Sequence, residues 1–169
     1  MLFVVIISIV SLFLDLILSN FLPYMVNDLS LFTTMFSTIT IFLVYKLFDD
    51  DKKYFIYSFI FGVIYDLFLT NLFLYDGIVF LFIAYISYLI YKNFEVNSIR
   101  NVIYIVLIII IYELVFALSI LLFNLVPISI NKVFYKITHS LISNIIYGEF
   151  IYFIIKHITK KYRIRKINR

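Results

Sequence analysis

The run VIYIVLIIIIYELVFALSILLF, residues 102–123, carries a single charged side chain, Glu113, in 22 positions. Wound as an α-helix at 1.5 Å per residue it reaches roughly 30 Å, the thickness of a bilayer's hydrocarbon core. Lipid offers no partner to backbone N–H and C=O groups, and the alternating pattern of a barrel strand is missing, so such a run must be helical. The flanking sequence repeats the theme. Apolar runs extend from Leu2 to about Phe21, Leu29 to Phe48, Tyr54 to Leu74, Ile78 to Tyr91 and Ile137 to Ile155. Breaks fall at Pro23 to Asp28, at Asp49-Asp50-Asp51-Lys52-Lys53, at Tyr75-Asp76-Gly77, at Lys92 to Asn101 and around Pro127 and Asn131. The first run has neither a basic start nor a small-residue cleavage site and reads as a span, not a removed signal.

Composition agrees. Hydrophobic residues make up 64% of 169, and the mean hydropathy is +1.09. A soluble domain of this length lacks the polar surface to cover that much apolar material. At about 20 residues per crossing the chain is filled by about six helices with short loops. The expected architecture is an all-α membrane bundle over residues 1–155, with a basic cytoplasmic tail over 156–169.

Lysine and arginine set the orientation. With six spans one side receives Lys46, Lys52, Lys53, Lys92, Arg100, Lys156, Lys160, Lys161, Arg163, Arg165, Lys166 and Arg169, which are 12 of the 14 basic residues. The other side receives Lys132 and Lys136. Both termini are therefore expected in the cytoplasm. The net charge of +4 follows from this bias and gives no reason to expect nucleic acid as a partner. The tail can anchor topology on anionic lipid, at about 1 kcal/mol per basic residue, or dock a cytoplasmic partner. Trp is absent, so Tyr45, Tyr54, Tyr91 and Tyr162 are expected to form the inner interfacial belt.

Several chemistries are excluded. There is no cysteine, and the only histidines are His139 and His157, so thiolate chemistry and a histidine-rich metal site fall away. Three glycines and two prolines leave no glycine-rich phosphate loop. No cofactor and no catalytic residue is expected. Glu113, Glu149 and His139 do not form a recognised intramembrane catalytic set.

Helices in lipid associate through small residues and interhelical hydrogen bonds. The informative positions are therefore the small and polar ones. In the third run Ser58, Gly62, Asp66 and Thr70 recur every four residues along one side of the helix. Gly62 would let another backbone approach and Asp66 would meet a partner. Comparable stripes are Ser8, Ser11, Asp15 and Ser19 in the first run, and Ser140, Asn144 and Gly148 in the sixth. The second run carries threonines including Thr34 and Thr38, and the fifth carries Glu113 and Ala117. Asn144 is expected to hydrogen-bond between helices. Asp66, Glu113 and Glu149 fall inside spans, where a charge costs about 2.5–3.5 kcal/mol. With no lysine or arginine in any span core, no ion pair is expected there. Asp66 and Glu113 should be protonated or held by hydroxyls, amides or water. A packing role and a proton- or solute-binding role both remain open for them.

The segment Phe61-Gly62-Val63-Ile64-Tyr65-Asp66-Leu67-Phe68-Leu69-Thr70-Asn71, followed by Gly77-Ile78-Val79-Phe80-Leu81-Phe82-Ile83-Ala84-Tyr85, resembles the rod-shape-determining protein MreD family. Members carry a glycine three or four residues before an aspartate in this helix, then a short glycine-containing turn and an apolar span. The resemblance covers about residues 58–88. Where the family usually has a glycine soon after the Thr-Asn segment, this chain has Phe73 and Leu74, and Gly77 serves the turn. The resemblance implies a non-enzymatic scaffold subunit of the bacterial cell-elongation machinery for rod shape and peptidoglycan synthesis, multi-pass in the cytoplasmic membrane. Its implied partners are an MreC-like single-span protein, an MreB-like actin homologue, and the elongation transpeptidase and glycosyltransferase. Gly62, Asp66 and Gly77 are then structural or partner-facing.

The competing reading is the substrate-binding subunit of an energy-coupling-factor vitamin transporter, which is similar in size and helix number. Such subunits tend to carry an Ala-x-x-x-Ala pattern in the first span, where this chain offers only Ser8, Ser11 and Ser19.

The threading is testable because the chain has no native cysteine. A membrane-impermeant maleimide applied to intact cells should label Asn131→Cys and leave Asp50→Cys unlabelled until the cells are opened. The reverse pattern would invert the orientation.

Overall fold

The computed structural model describes residues 2–21, 33–70, 74–94, 97–122 and 130–167. Those residues form six α-helices and no strand: α1 (Leu2–Phe21), α2 (Phe36–Val44), α3 (Asp51–Tyr65), α4 (Tyr75–Asn93), α5 (Ser98–Leu122) and α6 (Ile130–Ile167). Tyr45–Leu47 adds a 3-10 turn after α2, and Asp66–Thr70 a π-helical turn after α3. Three stretches are long and apolar enough to cross a membrane, Tyr75–Asn93, Ser98–Ser119 and Val133–Lys160, and Leu2–Leu18 and Phe36–Leu47 are shorter apolar helices.

The burial pattern is inside-out relative to a soluble bundle. On α1 the interior face is Val4, Ile7, Ser8, Ser11, Leu12 and Asp15, while Val5, Ile9, Phe13 and Ile17 point outward. On α6, Ser140 and Asn144 are fully buried, whereas Ile142 is 73% and Phe153 71% exposed. Water would penalise those exposed side chains, and lipid does not. Polar groups, conversely, gain from being inside, where other helices supply hydrogen bonds.

Helix α2 is the axis of the bundle. All nine of its residues are buried, and it contacts α1, α4, α5 and α6. Close approach is possible where side chains are small. A Cβ on Gly148 of α6 would strike Ile105 of α5 and lie 3.2 Å from a methyl of Ile39 of α2. The other extensive pairings are α3 with α4 and α5 with α6.

Several boundaries depart from the sequence reading. The expected second span, Leu29 to Phe48, is not one helix: residues 33–35 are non-helical and α2 starts only at Phe36. Side chains of other helices compete for the backbone there, as described below. Helix α6 starts at Ile130, seven residues before its expected start at Ile137, and absorbs Asn131. It continues without a break through the basic stretch to Ile167, so its 38 residues make a rod of roughly 57 Å, longer than a bilayer core. Tyr54, read as interfacial, is fully buried, and its hydroxyl donates to the Ile41 carbonyl at 2.9 Å. The side chain of Tyr162 lies outside the described residues.

The break between α2 and α3 has a local cause. Asp50 is the N-cap of α3, its carboxylate accepting the Lys52 N–H at 2.9 Å, and Asp51 occupies the first turn. Both place negative charge at the positive end of the helix.

Candidate functional site

Two polar nodes lie inside the bundle, and each is built around the start of a helix. The first is the N-terminus of α4. The residue before that helix, Leu74, adopts φ 64° and supplies no side-chain cap. That left-handed conformation costs a branched residue about 1–2 kcal/mol and costs glycine almost nothing. The cap comes instead from α3. Asp66 Oδ1 accepts the Asp76 N–H at 3.0 Å, and Oδ2 accepts the Gly77 N–H at 3.3 Å. Asp66 is 3% exposed, so these bonds form out of reach of bulk water.

Gly62 makes this reach possible. It sits one turn before Asp66 and faces the start of α4. A Cβ there would collide with the Asp76 backbone and come within 2.7 Å of the Gly77 Cα. Backbone cannot yield as a side-chain tip can, so glycine is required for the contact. Gly77 is the counterpart on α4, where an added Cβ would meet Val63 at 3.0 Å and Phe59 at 3.3 Å. Ser58, one turn earlier, is fully buried and donates to the Tyr54 carbonyl of its own helix at 2.9 Å. Thr70 belongs to the π-helical turn, and its side chain lies outside the described residues. Asp76, treated in sequence as a turn residue, is fully buried and accepts the Tyr112 hydroxyl of α5 at 3.1 Å.

The second node is the N-terminus of α2. Asp15 of α1, fully buried, accepts the Phe36 N–H at 3.0 Å and the Ser37 N–H at 2.8 Å through its two oxygens. Asn144 of α6 accepts the Met35 N–H at 2.9 Å and donates to the Thr33 carbonyl at 3.0 Å and the Ser140 carbonyl at 2.8 Å. Ser140 accepts the Thr33 N–H at 2.9 Å. The backbone N–H groups of Thr33, Met35, Phe36 and Ser37 are thus bonded by side chains of α1 and α6, which explains why the chain is not helical before Phe36.

Glu113 of α5 completes this node and corrects the sequence reading. It accepts the Thr33 hydroxyl at 2.8 Å and pairs with Lys136 Nζ at 3.1 Å, with Glu113 2% and Lys136 17% exposed at the side chain. An ion pair was not expected inside the bundle. It forms because the early start of α6 places Lys136 one turn before Ser140 and two before Asn144, on the same stripe. The four-residue spacing of Lys136, Ser140, Asn144 and Gly148 was visible in sequence and pointed to this face.

The remaining acid, Glu149, lies at the opposite end of the bundle, part-exposed, bonded to Ser98 Oγ and Asn101 Nδ2 at 2.7 Å each. His139 is exposed and stacked on Tyr135 at 3.6 Å between ring centres. The buried Ser8 and Ser11 of α1 face inward, and Ser11 bonds the Ser8 carbonyl at 2.8 Å.

The buried carboxylates of Asp15 and Asp66 are committed to helix N-termini, and that of Glu113 to an ion pair. Among the described residues no group of three or more His, Cys, Asp or Glu is arranged to hold a metal ion. The arrangement fastens helices together. No family model matches the chain, and comparison with curated proteins and with solved structures gives no match.

Substitutions at the start of α4 should rank by geometry. Asp66→Asn keeps one acceptor and should cost about 1 kcal/mol, while Asp66→Leu strands two buried N–H groups and should cost about 2–4 kcal/mol. Gly62→Leu should be worse still because backbone must move. Leu74→Gly should stabilise by several tenths of a kcal/mol, since glycine relieves the left-handed strain but loosens the unfolded chain. Thermal unfolding of the purified protein in detergent measures all four, and a destabilised Leu74→Gly would refute the strain at that position.

The ion pair should behave non-additively. Lys136→Met leaves Glu113 buried beside Thr33 alone and should cost about 1–3 kcal/mol, and the double variant Glu113→Leu/Lys136→Met should recover much of that loss. Additive losses in the same thermal assay would mean the two groups do not interact.

Proposed function

We propose that this chain is a six-span scaffold subunit of the bacterial cell-elongation complex, of the MreD type, in the cytoplasmic membrane with both termini inside. The observation that carries the reading is the unit formed by Gly62, Asp66 and Gly77. The residues on which the resemblance rests converge on one contact, in which glycine admits the α4 backbone and the aspartate caps it. The left-handed Leu74 adds to it, because a glycine-type backbone is present where the family's glycine is replaced.

Six crossings are compatible with the short α2. Its helical and 3-10 residues, 36–47, rise roughly 18 Å, and the non-helical residues 33–35 before Phe36 add to that length. Non-helical backbone at such depth is tolerated where protein side chains satisfy it, as Asp15, Ser140 and Asn144 do here. The lysine and arginine bias sets the direction.

In this role the subunit carries no chemistry. It holds a single-span MreC-like partner and, through the assembly, an MreB-like filament and the elongation transpeptidase and glycosyltransferase. Because Asp66 is spent on α4, its part in assembly is to set the α3–α4 hairpin whose outer surface a partner would meet.

Depletion in a rod-shaped host with no second copy of the gene should give rounded cells, and tagged protein should co-purify with a single-span protein that has a large extracytoplasmic domain. Asp66→Leu should reduce that co-purification and Asp66→Asn largely preserve it. Normal rods after complete depletion would refute the assignment.

A further inference from the structure

We propose that the end of the bundle where α2 and α4 finish binds the phosphate of an anionic phospholipid headgroup between Lys46 and Lys156. This needs only that the helices lie in a bilayer and is independent of the scaffold role. Lys46 sits in the 3-10 turn after α2, with Nζ 5.0 Å from the ring centre of Tyr91 on α4 and 5.4 Å from that of Tyr152 on α6. Lys156, one turn along α6, has Nζ 5.9 Å from the same Tyr152 ring. Both ammonium groups therefore lie beside the same aromatic ring.

Among the described residues neither lysine has a carboxylate within ion-pair distance. The ion pair of Lys136 with Glu113 lies at the α2 N-terminus, and Glu149 is held by Ser98 and Asn101. Ring faces attract ammonium groups by about 0.5–1 kcal/mol at exposed sites but do not neutralise them. The arrangement orients two positive charges beside one ring, with no carboxylate of the described residues paired to either. Basic pockets between helices at the membrane boundary take phosphate headgroups in this way.

A lipid fits better than free phosphate because apolar surface adjoins the charges. Phe153, on α6 within one turn of Lys156, is 71% exposed and offers a surface to an acyl chain. Tyr152 itself is 6% exposed, so the aromatic platform is fixed by packing and does not need to be ordered by the ligand.

Native mass spectrometry of the full-length protein in detergent, titrated with dioleoylphosphatidylglycerol, dioleoylphosphatidylcholine and inorganic phosphate, tests this. Phosphatidylglycerol should be retained over phosphatidylcholine. Lys46→Gln/Lys156→Gln should weaken that retention about tenfold or more, taking about 1 kcal/mol per basic residue. Lys160→Gln/Lys161→Gln removes the same charge from the following turn and should leave it unchanged. Lys46→Arg/Lys156→Arg should retain the lipid, which separates lost charge from lost fold. Equal loss in the two glutamine pairs would mean diffuse attraction to the basic tail and would overturn the site. Displacement of phosphatidylglycerol by millimolar inorganic phosphate would overturn the lipid assignment in favour of a soluble anion.

Discussion

A helix that begins inside a protein exposes N–H groups with no intrahelical partner, and in a medium without water those groups must be bonded by something else. Two helices of this chain begin that way, and both are rescued from a neighbour. Asp15 reaches from α1 to the first turn of α2, and Asp66 reaches from α3 to the first turn of α4. In each case both carboxylate oxygens are used on consecutive amides. The helix dipole favours negative charge at that end, so one side chain satisfies hydrogen bonding and electrostatics together. The rest of the interior follows from these two fastenings. Helix α2 can be central and short because Asp15, Ser140 and Asn144 bond its approach, and α4 can lie against α3 because Asp66 bridges a gap that Gly62 keeps closed.

The polar residues do not make the bundle hydrophilic. They are spent in pairs and triads: Glu113 with Lys136 and Thr33, Thr40 with Tyr147 at 2.7 Å, Asp76 with Tyr112. A buried ion pair is weak evidence for stability, because desolvation offsets much of its attraction. Its effect here is on specificity. Lys136 and Asn144 lie on one stripe of α6, the first pairing with Glu113 of α5 and the second bonding Thr33 and Met35 before α2, so a rotation or slide of α6 would break several bonds at once. Apolar contacts with lipid outside exert no such preference, since one lipid-facing aliphatic surface is much like another.

Much of this was legible in sequence, and the limits have physical reasons. Long apolar runs identify helices because the periodicity and length are local properties, and α1, α4 and α5 lie within a few residues of their expected bounds. The stripe Ser58, Gly62, Asp66 was visible for the same reason. What Asp66 bonds to was not, because its partners are backbone amides ten residues on, and amides carry no sequence signature. The break before α2 was hidden too. Thr33, Thr34 and Met35 are ordinary helix residues by composition, and the groups that pull them out of the helix, Asn144 and Ser140, are more than a hundred residues away. Lys136 falls outside the expected sixth span because the long apolar stretch begins at Ile137, although the polar turns before it continue the same helical face.

A glycine and an aspartate one turn apart on an apolar helix invite a catalytic or ion-binding interpretation, since intramembrane carboxylates so often serve those ends. The geometry at Asp66 points elsewhere. A general acid or a proton carrier needs lone pairs free to meet a substrate or a relay, and here both oxygens accept backbone N–H groups at the start of α4. Freeing either oxygen would expose an amide at the start of α4 in a water-poor interior. The residue is therefore held to its cap by the same penalty that keeps helix ends bonded everywhere in lipid. Selection for a fixed α3–α4 hairpin would maintain such a motif as firmly as selection for chemistry. The buried acids Asp15 and Asp66 thus brace the chain's own helices, and the fixed shape of the bundle follows from them.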